Sequence, residues 1–121
     1  MSALDPRDSF RERCYQFGLA VIHLVNTLPN TRSAWIIGDQ VMRSATSIGA
    51  NMVEAKGASS RLEFKKFYQI ALKSANETQY WLRLLKDAKL ADVAKIAPLT
   101  DEATHLCRML GASVIKLKQK P

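Results

Sequence analysis

The sequence predicts an all-α fold, an antiparallel up-down-up-down four-helix bundle. Three observations carry this expectation. Glycine and proline are scarce, 5 and 4 among 121 residues, which argues against an all-β fold and against disorder. Apolar residues make up 47% of the chain, enough for a core that needs no staples. Apolar positions recur at alternating spacings of three and four in four long stretches, parted by short breaks at Leu28-Pro29-Asn30, Lys56-Gly57-Ala58-Ser59 and Lys89 to Pro98. Four amphipathic helices with short links are the pattern of such a bundle. The length suits one domain, residues 1–121.

The first helix is expected over residues 9–28. Ser9 and Glu12 read as a capping box, and Phe10, Cys14, Phe17, Val21, Leu24 and Leu28 form its seam, stopped by Pro29. The second is expected over 33–55, with Ile37, Val41, Ser44, Ile48 and Asn51 as seam and Gly57 as its stop. Gly38 and Gly49 lower its propensity but permit a close neighbour. The third, over 60–88, opens on a second capping box, Ser60 with Glu63. Phe64, Phe67, Ala71, Ser74, Thr78, Trp81 and Leu85 then follow as a heptad-like seam, with Leu82 and Leu84 widening it. The fourth is expected over 100–118, with Thr100 as N-cap and Ala103, Leu106, Leu110, Ser113 and Leu117 facing the core; Asp92 to Ala97 have room for one or two separate turns before Pro98.

The charge balance is +7, from 18 Lys and Arg against 11 Asp and Glu. It points to an anionic partner: nucleic acid, an anionic membrane or an acidic protein. No cleavable leader pattern and no apolar run of about 18 residues is present, so the expected location is the cytoplasm, with no membrane partner. Cys14 and Cys107 form no CxxC pair and read as free thiols in a reducing compartment.

Catalysis is not expected. A di-metal bundle site needs two E-x-x-H motifs; Glu102 and His105 supply one, and the other histidine, His23, has Ala20 three residues before it. His105 and Cys107 point about 200° apart on a helix. There is no glycine-rich phosphate loop and no G-x-S-x-G. The expected catalytic residues, metal ligands and cofactors are therefore none.

Two polar stripes stand out. Arg43, Ser47, Asn51 and Glu54 share one side of helix 2. They read either as polar glue that fixes helix register or as a ligand or partner site. On helix 3, Lys65, Gln69, Lys73, Asn76, Tyr80 and Arg83 share the outer side. They read either as a solvated face or as phosphate contacts with a stacking aromatic. After Glu102 no acid remains, while Arg108, Lys116, Lys118 and Lys120 do; helix-end capping accounts for part of that bias. The expected nucleic-acid-binding set is Lys65, Lys73, Arg83, Lys116, Lys118 and Lys120. No groove-reading motif is present, so binding would be phosphate-dominated and salt-sensitive. A protein–protein module without nucleic-acid affinity is the alternative. Trp35, Ile36, Met42 and Met52 lie off the helix-2 seam, and Tyr15, Tyr68 and Trp81 exceed what a thin seam needs. They imply either homo-oligomerisation or a wider core.

The run from Asp39 to Leu82 resembles the bacterial four helix bundle protein family, which includes the 23S rRNA intervening-sequence (S23-like) proteins. It is also similar to accessory variability proteins of diversity-generating retroelements. The resemblance rests on Asp39 and Gln40, then Arg43, Ser44 and Ala45, then Ser47, Ile48, Asn51 and Glu54. The pattern continues with Glu63, Phe64, Phe67, Ala71, Ser74 and Glu77. Two positions depart from it: Ala55 stands where glycine is usual, and Lys73 replaces a common glycine. The resemblance implies a four-helix bundle without enzymatic activity and a homopentamer around a central channel. Its retroelement branch implies a basic surface for nucleic acid and a reverse transcriptase partner. Arg43, Ser47, Asn51, Glu54, Glu63, Ser74 and Glu77 are the motif residues it marks.

Overall fold

The structure, a computed structural model, describes residues 5–119. Four helices follow in order: α1 (Pro6–Val25), α2 (Arg32–Lys56), α3 (Arg61–Asp87) and α4 (Val93–Lys118). Each packs on the next, and a thinner contact between α1 and α4 closes the antiparallel bundle. No helix of the described residues is long and apolar enough to cross a membrane.

The helix ends show which local signals prevail. α1 starts three residues before the expected Ser9, because Asp5 caps it: its carboxylate accepts from the Arg7 amide at 2.8 Å, and Pro6 fills the first helical position. Ser9 lies inside the helix, and Glu12 accepts from Gln16 (2.8 Å) instead of serving a cap. The helix also stops at Val25. Its last carbonyls are taken by tight turn bonds from Thr27 and Leu28, ahead of Pro29. α2 is capped by Thr31, whose hydroxyl accepts from the Ala34 amide (3.3 Å). α3 is capped by Ser60 as expected, its Oγ accepting from the Glu63 amide at 3.0 Å, while Glu63 Oε1 accepts from the Ser59 amide (3.0 Å), one residue before the Ser60 amide of a regular capping box.

The largest correction is α4, which begins at Val93 rather than near Thr100 and runs through Pro98. Asp92 is the cap, accepting from the Ala94 amide at 3.1 Å. Pro98 sits in the second turn, where its missing N–H and its ring together deprive the Ala94 carbonyl of a helical partner. Ala94 and Pro98 are both exposed, so the orphaned carbonyl lies on the solvent side. Thr100 is interior to the helix, and its carbonyl accepts from Thr104 Oγ1 (2.9 Å).

α3 ends in a Schellman motif. The Leu90 amide donates to the Leu85 carbonyl and the Lys89 amide to that of Lys86, both at 3.0 Å. Lys89 takes the left-handed position, φ 57°, that glycine usually fills. The geometry holds because Leu85 is buried and Leu90 packs on the same core.

The core gathers Phe17, Val21, Ile48, Leu82, Leu106 and Leu110 among others, all buried. Each such side chain contributes about 1.5–3 kcal/mol by leaving water. The core is wider than a strict seam. Met52 and Tyr68, expected as surplus apolar residues, are buried, and Met42 and Trp81 are partly so. Tyr15, Trp35 and Ile36 remain exposed. Gly49 faces the α1 backbone closely: a Cβ there would lie 3.6 Å from the Cys14 carbonyl group.

Candidate functional site

The α2 stripe divides in two. Ser47 and Asn51 are half-buried, and Ser47 meets α3, while Arg43 and Glu54 are exposed. Between the helices runs a chain of hydroxyl contacts. Ser47 Oγ and Ser74 Oγ lie 2.9 Å apart, and Thr78 Oγ1 lies 2.8 Å from Ser44 Oγ and 2.8 Å from the Ser74 carbonyl. Asn51 donates to the Ser47 carbonyl (2.8 Å) and hydroxyl (3.0 Å). Among the described residues, no buried side-chain nitrogen or oxygen lacks a partner. Slipping α2 along α3 by one turn would break the two contacts that cross between the helices, Ser47–Ser74 and Ser44–Thr78, at about 1–3 kcal/mol each. These two contacts favour one register of α2 against α3.

The other motif residues act locally. Glu63 caps α3, as described. Glu77 accepts from Trp81 Nε1 at 2.9 Å. That bond holds the indole edge-on against Tyr80, with ring centroids 5.0 Å apart and planes at 74°. Tyr80 itself is 58% exposed.

The cationic candidates do not converge on one spot. Lys73 and Arg83 are exposed on α3 and Lys65 is half-buried. Lys65 and Arg83 are 18 positions apart, roughly 27 Å along the axis, so the stripe is a track rather than a pocket. Arg83 Nε lies 3.6 Å from Asp87 in an exposed pair that solvent weakens. Lys116 and Lys118 are exposed at the end of α4, beside the end where α3 begins. Lys120 lies outside the described residues.

One pair escaped the sequence reading. Arg13 on α1 grips Glu102 on α4 with two charge-assisted hydrogen bonds, Nε to Oε2 at 2.6 Å and Nη2 to Oε1 at 2.8 Å. The Arg13 hydrogen bonds hold the Glu102 carboxyl below the usual carboxylate range, against a smaller opposing effect of burial. Glu102 is thus committed to closing the bundle, with His105 exposed nearby. No local pattern announces a partner 89 residues away. Cys14 is buried, and burial pushes its thiol up to about 12. Cys107 is partly buried and donates to Asn76 Oδ1 at 3.4 Å.

These features define a small α-helical bundle with a polar-locked α2–α3 seam and a cationic outer track. The chain belongs to the 23S rRNA-intervening sequence protein family, whose model matches residues 9–112. A solved relative is a protein of unknown function from the S23 ribosomal protein family of Bacteroides thetaiotaomicron. It is 33% identical, with a TM-score of 0.80, and the match covers 86% of this chain and 96% of that one. None of the curated proteins compared with the chain matches it.

Proposed function

We propose that this protein is a non-enzymatic, basic, oligomeric scaffold of the cytoplasm that binds single-stranded RNA or DNA through phosphate contacts. Its place would be as an accessory to a larger nucleic-acid enzyme such as a reverse transcriptase. One observation carries the reading: an exposed aromatic, Tyr80, is braced by Trp81 within the cationic track of Lys65, Lys73 and Arg83. Stacking on an aromatic plus backbone charge is how single strands are held without sequence preference. Lys116 and Lys118 add charge at the track's lower end, and an oligomer would repeat it. Exposed Tyr15, Trp35 and Ile36 supply apolar area for self-association, and the homopentamer is the proposed assembly.

Fluorescence anisotropy with a labelled single strand tests this. Three phosphate contacts give a slope of log K against log salt of about −2. Charge reversal at Lys65, Lys73 and Arg83 should weaken binding and flatten that slope, and Tyr80→Ala should weaken it without changing the slope. Absence of binding at about 50 mM salt overturns the proposal. A stable oligomer with no nucleic-acid affinity would favour the protein–protein module, which the same exposed apolar residues suit.

A further inference from the structure

A second basic feature lies where α1 and α3 begin and α2 and α4 end. There the chain forms an open hollow of about 610 Å³. Four cationic side chains line it, Arg7, Arg11, Lys56 and Arg61, against two acids, Asp5 and Asp8. Both acids are already engaged. Asp5 caps α1, and Asp8 pairs with Arg11 and, at 3.4 Å, with Lys56. The lining charge is 4 − 2 = +2. Two helices begin and two end here, so their dipoles largely offset and the side chains set the sign.

The two remaining guanidiniums are the reactive part of the lining. Arg7 lies over the Phe64 ring, 6.0 Å from its centroid. Arg61 Nη2 reaches the carbonyls of Leu117, in the last turn of α4, and of Gln119 just after it, at 3.4 Å each, long contacts that a stronger acceptor displaces. Arginine forks match phosphate oxygens bidentately. A phosphate monoester carries about −1.5 to −2 at neutral pH, which matches the lining charge; an internal phosphodiester carries only half of that. The volume lies within the range of small-molecule sites, roughly 300–1,000 Å³. Arg7 also lines a neighbouring hollow together with Lys116, so a strand following Lys116 would bring its end to Arg7.

We propose that this hollow holds the terminal phosphate monoester of a nucleotide or nucleic-acid strand, gripped by Arg7 and Arg61. The inference rests on the nucleic-acid reading above and adds a preference for phosphorylated ends. Binding would be measured with one strand of about ten nucleotides in three forms: 5′-phosphate, 3′-phosphate and hydroxyl at both ends. Adenosine monophosphate, adenosine and inorganic phosphate would be titrated alongside.

A terminal phosphate should tighten binding about tenfold, the worth of one charge-assisted contact. The arm that gains, 5′ or 3′, identifies the source. Arg7→Ala and Arg61→Ala should erase the gain, bringing the phosphorylated strands down to the affinity each variant shows for the hydroxyl-ended strand, and Arg61→Lys should restore only part of it. Circular dichroism confirms that each variant folds. Equal affinity for all three strands overturns the hollow and leaves the surface track standing. Binding of adenosine monophosphate over adenosine, lost in Arg61→Ala, with no strand bound, keeps the hollow and overturns the track. A gain that survives both alanine variants also overturns the proposal.

Discussion

Glu102→Gln tests the least supported contact in the bundle. α1 and α4 meet over a thinner interface than the other neighbouring helices, and the Arg13–Glu102 fork spans it. Hydrogen bonds to charged groups reach about 1.5–3 kcal/mol when buried. Here the side chains are 36% and 28% exposed, so solvent screening reduces the pair to roughly 1 kcal/mol. At about 2.1 cal/mol/K per residue, a chain of this size melts with an entropy near 250 cal/mol/K. Glu102→Gln should therefore lower Tm by about 4 °C at neutral pH. A cycle with Arg13→Met should return a coupling of about 1 kcal/mol. The pH dependence fixes the cause. The folded Glu102 pKa is depressed from its usual 4.5 by Arg13, so its stabilisation is complete above that value. It fades as pH falls through the lower folded value. The gap between wild type and Glu102→Gln should thus close in acid. A gap below about 1 °C at neutral pH, or one that persists unchanged to about pH 3, would refute the assignment.

Three further outcomes are expected. Lys89→Gly should raise stability by about 1 kcal/mol, since a non-glycine residue at φ 57° carries left-handed strain; denaturant midpoints will show it. Thr78→Val keeps the side-chain shape but removes the fully buried hydroxyl that meets Ser44. It should cost about 1 kcal/mol, and no loss in thermal melts would mean the network is idle. In thiol titration of the native protein, Cys107 should react slowly and Cys14 only on unfolding, because burial holds Cys14 at 1% exposure with its thiol pushed up to about 12. Rapid labelling of both would contradict the buried position.

Legibility followed the range of the interaction. The Ser60–Glu63 cap was readable because both partners lie within one turn. The Asp5-Pro6 start of α1 was equally local, and the aspartate–proline pair carried the signal that Ser9–Glu12 obscured. Pro98 misled because proline's cost depends on where in the helix it falls: near the start, on the exposed side, one lost hydrogen bond is tolerable. For Met52 and Tyr68 the periodicity left a wider core and self-association both open; burial decides for the wider core, because a bundle with four unequal contacts buries a broader face than a two-helix seam. Arg13 and Glu102 carried no signal in the sequence at all.

Sequence alone determined the four helices, their amphipathic faces, the net charge and the family motif, since helical periodicity and capping act within a few residues of chain. The tertiary structure decided the rest. It set Ser47 of the α2 stripe against Ser74 of α3, joined Arg13 to Glu102, and gathered Arg7, Arg11, Lys56 and Arg61 at one end. Those groups come from distant stretches of chain, and only packing four helices around one core brings them within reach of each other.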